Sequence, residues 1–300
     1  MNLPDLAELS ALNGAAHGLS LHTHHPALAR LQGGYRSAQR GRGLEFEEVR
    51  LYAPGDDARN IDWRVTARRG RVHTKLFREE RERPVWLIVD LHAGLFFGSR
   101  RQLKSAVVLR AAALLAWVAA SGGDRVGAII ADGANSPLIF TPRGREAGVL
   151  PILEALVTAQ PRAPGVPTSG SLLAAVSTLR PLVQPGSLIL LLSDFAGLDA
   201  ATEDMLAGAT LRNDCRLLWI TDPLEANGLP AGEHHVGLPG RRWRMDGNRS
   251  RASWMAAWQA REQRLDKLAT RLNLPLSRLD TPDAVAERLA ALLKEPAWAA

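Results

Sequence analysis

The sequence predicts a doubly wound α/β fold on a mostly parallel sheet, with a small N-terminal β-rich appendage and a C-terminal helical extension. Three observations carry that expectation. VWLIVD (85–90) and SLILLLSD (187–194) are continuous apolar runs, the pattern of strands buried on both faces. Helical segments alternate with these and other short apolar runs through the C-terminal two thirds, as parallel sheets with crossover helices require. Both runs close on an aspartate, Asp90 and Asp194, at the strand ends where such folds bind ligands.

The elements are read in order. Residues 1–29 form a short helical lead, Leu3 to Leu12, and a loose tract with His17, His22, His24 and His25. A histidine cluster is a metal signal, but neighbouring histidines on a loop near a terminus are read here as solvated. Residues 30–83 form the appendage. LEFEEVRLYA alternates in part, and RVHTKLFREERE places Val72, Thr74, Leu76 and Arg78 to one side. APGDD between them is a turn, with Pro54 pre-set for it and Gly55 free to take positive φ.

Residues 84–300 form the α/β domain. After VWLIVD, Leu103 to Ala120 is a helix apolar almost all round, hence heavily buried. RVGAII and PLIF flank ADGANS, where Asp132-Gly133 signals a hairpin. Arg145 to Thr158 is helical, and a Pro/Gly/Ser loop (161–171) leads to a helix from Leu172 to Leu182. SLILLLSD, a helix near 200–213 and the strand CRLLWIT (215–221) follow. Ser253 to Leu272 is amphipathic, with Trp254, Trp258, Leu265, Leu268 and Leu272 on one face and Asn273 and Pro275 to end it. LPLSRLD and a last helix, Pro282 to Lys294, complete the pattern.

Composition narrows the function classes. Cys215 is the one cysteine, so there is no intrachain disulfide and no cysteine-based zinc site. MNLPDLAELSALNG has no basic region followed by an apolar run, and the longest apolar stretch is broken by Arg110. The expected location is therefore the cytoplasm, with no membrane span. The net charge is +6, and residues 30–83 hold most of it, 14 Lys/Arg against 9 Asp/Glu. Such a surface attracts nucleic acid, anionic lipid or an acidic protein.

If the strands ending at Asp90 and Asp194 are neighbours, their carboxylates converge. Two carboxylates with hydroxyls and water suit Mg2+. The simpler reading is that each aspartate caps the loop or helix that follows it.

The block GRGLEFEEVRLYAPGDDARNIDWRVTARRGRVHTKLFREERERPVWLIVDLHAG closely resembles the signature of the bacterial domain-of-unknown-function 58 family. The likeness continues through GDRVGAII, PGSLILLLSDF and ITDPLE, from about Gly33 to Asp280. The order of strand–Asp, helix, hairpin, helices and strand–Ser-Asp is similar to a von Willebrand factor A-type domain. The resemblance implies an adaptor or substrate-presenting partner, because members are commonly encoded beside MoxR-type AAA+ ATPases. It also implies a metal site built from Asp-x-Ser-x-Ser, a threonine on a second loop and a later aspartate. Here the first motif reads Asp90-Leu91-His92-Ala93-Gly94, so both serine positions are lost. Thr168, Ser169 and Ser171 offer hydroxyls on the second loop, and Asp194 matches the third position. The expectation is a degenerate rim of Asp90, His92, Ser169, Ser171 and Asp194, with no cofactor and with His92 paired to Asp90 or Asp194.

Three readings of the signature block compete. For a metal-dependent hydrolase, Asp56, Asp57 and Asp62 could act as paired carboxylates beside Arg50, Arg59, Arg64 and Arg68. No nucleophile–base pair, Gly-x-Ser-x-Gly elbow or P-loop accompanies them. For nucleic acid, Tyr35, Phe46, Tyr52, Trp63 and Phe77 could stack, but interleaved acids repel phosphate. Mixed arginine, carboxylate and aromatic residues suit a protein contact. The block can also tie the appendage together internally, with Asp62 and Trp63 as buried anchors. The expected function is a non-enzymatic adaptor that docks on a MoxR-type AAA+ ATPase or its client, through Arg50, Asp56, Asp57, Asp62, Trp63 and Arg68.

Overall fold

A computed structural model of the chain describes residues 2–21, 44–53, 56, 58–79, 83–168, 170–238, 240–295 and 298. The chain separates into two compact units, Gly33–Glu82 and the remainder. The expected Pro54–Gly55 turn, the histidines at 22, 24 and 25, Asp57 and Ser169 lie outside the described residues.

The larger unit is built on one six-stranded sheet. Its strands are β3 (Pro84–Asp90), β4 (Arg125–Ala131), β5 (Leu138–Gly144), β6 (Leu188–Ser193), β7 (Asp214–Thr221) and β10 (Leu276–Asp280). They lie in the order β10-β7-β6-β3-β4-β5. All pairings are parallel except that of β5 with β4. The antiparallel pair is the hairpin expected at Asp132-Gly133, where Asp132 accepts the Ala134 and Asn135 N–H groups.

Pleating sorts the core. Val85, Leu87 and Val89 of β3 face one side, packed against α4 (Lys104–Ser121), α5 (Glu146–Ala159) and α10 (Val285–Leu292). Trp86 and Ile88 face the other, against α6 (Ser171–Leu179), α7 (Ala200–Thr210) and α9 (Gly247–Leu272). The N-terminal lead is α1 (Leu6–Ala11) and α2 (Asn13–Ala16), with Leu9 and Ala16 fully buried in the first of these cores. Trp117 on α4 donates to the Leu9 carbonyl at 3.1 Å. Among the described residues α4 alone is long and apolar enough to cross a membrane, and 83% of that stretch is buried inside the protein as a core helix.

The chain leaves β3 toward β4 on one side, while β6 pairs with β3 on the other. The order therefore reverses between β3 and β6, which makes their carboxyl ends the switch point where folds of this kind bind ligands. Asp90 and the residue after Ser193 stand there.

The smaller unit pairs β1 (Leu44–Leu51) with β2 (His73–Glu79), antiparallel, with a bulge between Phe46 and Glu48. A helix that the alternation did not predict, α3 (Trp63–Arg69), lies between them in the chain. Asp62 starts it by accepting the Arg64 and Val65 N–H groups at 3.0 Å, and Gly70 ends it in the left-handed conformation. The expected alternation in β2 also fails at its start: His73 and Thr74 are both buried, while Val72 is exposed. His73 is held by its N–H to Thr66 Oγ1 at 3.0 Å and its ring to the Arg71 carbonyl at 2.6 Å.

Candidate functional site

At the switch point the two aspartates meet around His92, and all three are buried. Asp90 accepts Ser171 Oγ at 2.9 Å on one oxygen and Ser193 Oγ at 2.8 Å on the other. His92 Nε2 lies 3.2 Å from Asp194 Oδ1 and 3.9 Å from Asp90 Oδ2. Its Nδ1 accepts the Gly94 N–H at 3.1 Å, which leaves the neutral ring's proton on Nε2, facing the carboxylates. Only glycine fits at 94, because a Cβ there would lie 2.9 Å from that same Nδ1. The rim thus gathers Asp90, His92, Ser171 and Asp194 from the predicted set.

It also gathers residues that the sequence reading missed. Lys104, in the first turn of α4, places Nζ 2.6 Å from Asp194 Oδ2 and 2.9 Å from Glu225 Oε1. Glu225 belongs to α8 (Pro223–Asn227), which follows β7. Its second oxygen accepts the Asp222 N–H, closing a capping box. Arg261 of α9 stands 3.6 Å from Glu225 and over the stacked rings of Trp219 and Trp258. Lys104 had a readable signal. A lysine in a helix's first turn opposes the macrodipole, and in an otherwise apolar helix it needs a carboxylate partner. Ser193 and Glu225 stand in readable patterns, strand–Ser-Asp and the capping box Asp222-Pro-Leu-Glu225, but those patterns report a strand end and a helix start, not partners for Asp90 and Lys104.

The electrostatics follow from this packing. Burial pushes the Asp90 carboxyl up, with the Asp194 charge adding to it and His92 and the two serines opposing. Burial works against ionised Asp194 too, but Lys104 and His92 outweigh it and hold that carboxyl well below the usual range. Lys104 is likewise penalised by burial, and Asp194 and Glu225 raise it above an ordinary lysine. Burial lowers His92, while the Asp194 hydrogen bond and charge raise it by more.

This donor set does not fit Mg2+. A divalent cation there needs about six oxygens at close to 2.1 Å. Both Asp90 oxygens already accept serine hydroxyls, and both Asp194 oxygens are taken, one by Lys104 and one by His92 and the Ala196 N–H. An ammonium occupies the cation's side of Asp194. A dication brought to roughly 4 Å from it meets a repulsion on the order of 8 kcal/mol at an effective dielectric of 20. No group of three His, Cys, Asp or Glu among the described residues has metal-binding geometry.

The smaller unit divides its predicted residues differently. Arg50 Nη2 holds Asp56 Oδ1 at 2.7 Å, and Asp56 Oδ2 accepts the Ala53 N–H at 2.9 Å. These bonds keep the Asp56 carboxyl below the usual range, Arg50 contributing most. Asp62 caps α3 and faces Lys75 Nζ at 3.6 Å. Arg50, Asp56 and Asp62 are therefore internal clasps. Trp63 is not the buried anchor expected of it: 69% of it is exposed. Its position at the first residue of α3 turns it outward, with Arg64 and Arg68 exposed on the same short helix.

Among solved structures, the conserved hypothetical protein BatB from Bacteroides thetaiotaomicron is similar over 70% of this chain and 96% of its own, at 10% identity and a TM-score of 0.43. An aerotolerance-related membrane protein from Bacteroides fragilis is similar over 70% of this chain and 97% of its own, at 13% identity and a TM-score of 0.43. The uncharacterized protein Rv1480 of Mycobacterium tuberculosis is 38% identical over 158 residues, 52% of this chain and 49% of that protein. The chain thus spans about half the length of the curated relatives it matches. The family model described as Protein of unknown function DUF58 matches residues 48–264, well over half of the sequence, and the chain belongs to that family.

Proposed function

We propose that this chain is a non-enzymatic protein-interaction module of the von Willebrand factor A-like type, acting as an adaptor with a MoxR-type AAA+ ATPase. The exposed Trp63 on an arginine-rich helix carries the reading. A tryptophan exposed at 69% is costly to leave in water and is the residue type, with arginine, that anchors interfaces. The strand order and the position of Asp90 and Asp194 support the von Willebrand A-like comparison. The rim supports a non-catalytic reading, because its ionisable groups are buried and already committed to one another. On this reading the chain works in the cytoplasm, where an ATPase partner meets its ATP.

The nucleic-acid alternative is weaker for this unit. Arg50 is taken by Asp56, and Asp56 and Asp62 would face a phosphate backbone. The test is a pull-down with a purified MoxR-type ATPase. Trp63→Ala and Arg68→Glu should each abolish retention, and EDTA should change nothing. Retention unchanged in both variants, or lost on chelation, would sink the proposal.

A further inference from the structure

A second surface lies in the larger unit, on a ribbon that the sequence reading passed over. β8 (Glu233–Leu238) pairs antiparallel with β9 (Arg241–Asp246). The register sets Val236 against Trp243 and His234 against Met245. Pleating therefore puts Val236, Trp243 and Met245 on one face with Arg241, and Arg242 and Arg244 on the other. A two-stranded ribbon is marginal by itself and must be tied to something. The tie is Gly247, the first residue of α9. Its N–H bonds the Gly232 carbonyl at 2.8 Å, and a Cβ there would lie 1.8 Å from the Pro230 oxygen.

The apolar face of the ribbon runs into a groove. Met245 lines it together with Ser250, Trp254, Ala257, Trp258 and Arg261, enclosing about 460 Å3. The α9 residues stand at helical spacing on one stripe, so the groove wall is a single rigid helix face. Trp254 is fixed by its indole N–H to the Glu225 carbonyl at 2.8 Å. Trp243, in mid-strand opposite Val236, is 42% exposed.

Charge says what this surface fits. From Glu233 to Arg251 the chain has five arginines against two carboxylates. Glu233 lies 3.6 Å from Arg244, and Asp246 caps α9 and lies 3.8 Å from Arg249. Arg241 stacks on the Trp243 ring at 5.0 Å and, among the described residues, has no carboxylate partner. Arg261, inside the slot, is taken up by Glu225 at 3.6 Å and by the Trp219 and Trp258 rings. An apolar slot continued by an arginine-rich ribbon, with Arg241 on the face that carries Met245, is complementary to a segment with an apolar anchor and carboxylates beyond it. A phosphodiester backbone suits it less, because the slot is apolar and Glu225 is part of its lining.

We infer that this groove docks an acidic segment of a partner protein. An aromatic or aliphatic side chain of that segment seats against Trp254 and Trp258, and carboxylates further along it pair with Arg241 beside Trp243 on the ribbon. The inference rests on the reading of the chain as an interaction module and adds a second contact to it, separate from α3.

The test uses the full chain and a fluorescein-labelled dodecapeptide of glutamates interspersed with leucine and phenylalanine. Controls are the same peptide with every Glu replaced by Gln, and single-stranded oligo-dT. The acidic peptide should bind, and the Gln peptide should bind at least about tenfold more weakly. Arg241→Glu and Trp243→Ala are exposed and leave the fold intact, and each should weaken binding about fivefold or more. Trp63→Ala should leave peptide binding unchanged, so failure at α3 and failure at the groove are told apart. Equal binding of both peptides, tighter binding of oligo-dT, no effect of either groove variant, or no binding at roughly 1 mM peptide would each overturn the inference.

Discussion

Asp194 and Asp62 both accept backbone N–H groups, and both face a lysine. Asp194 meets Lys104 at 2.6 Å with the two side chains 3% and 2% exposed. Asp62 meets Lys75 at 3.6 Å with side chains 14% and 40% exposed. The residue types match and the surroundings do not. In the rim, charges removed from water must be paired, and once paired they have nothing left to offer a partner. In the smaller unit the carboxylates organise backbone and leave Trp63, Arg64 and Arg68 turned to solvent. A cluster of charge marks a contact site only where its charges are uncommitted.

Removing one member of the buried set gives the largest expected effect. Lys104→Met leaves Asp194 and Glu225 without their shared cation, at a cost of about 3–5 kcal/mol in unfolding free energy. Urea denaturation followed by circular dichroism measures it. Mg2+ should leave the wild-type melting temperature unmoved, since Lys104 already stands at Asp194. A clear rise with Mg2+ in the wild type, or a loss below about 1 kcal/mol in the variant, would break the contrast between the two regions.

The framework was legible because its signals are redundant. Continuous apolar runs at 85–90, 187–194 and 215–221 can hardly be anything but buried strands, while Asp132-Gly133 marks the β4–β5 turn and Asn273 the end of α9. The meeting of Asp90 and Asp194 followed from two strand ends and a switch point. Helix α3 was not legible from periodicity, because seven residues show barely two turns and WRVTARR has no apolar stripe. Its caps, Asp62 and Gly70, were the available signal. The β8–β9 ribbon escaped because arginines hide the alternation of Val236, Leu238, Trp243 and Met245. Glu225 reaches Lys104 from a residue 121 positions away, and no local pattern reports such a distance.

His92 sharpens the comparison through pH. Its pKa in the folded chain is raised, Asp194 outweighing the burial that lowers it. A group with a raised folded pKa contributes stability that is full below its unfolded value, about 6.5 for histidine. That contribution declines as pH rises through the higher folded value. Gaining the second proton at Nδ1 also breaks the bond from the Gly94 N–H, which offsets part of it. Wild-type stability should therefore fall from roughly pH 6 to pH 9 more than that of His92→Gln. Equal slopes in denaturation series across that range would show that Asp194 does not control the ring.

The smallest effect is expected at Lys75. Its ammonium is 40% exposed, and Asp62 keeps both α3 N–H bonds without it. An ion pair of that kind is screened by water and salt and holds two side chains at an entropic cost. Lys75→Ala should leave the melting temperature within about 1 °C of the wild type, in low and in high salt alike. Asp62→Ala should cost more, because it removes the cap that starts the helix carrying Trp63. If Lys75→Ala instead destabilised the protein as much as Lys104→Met, exposure could not be what separates the two pairs.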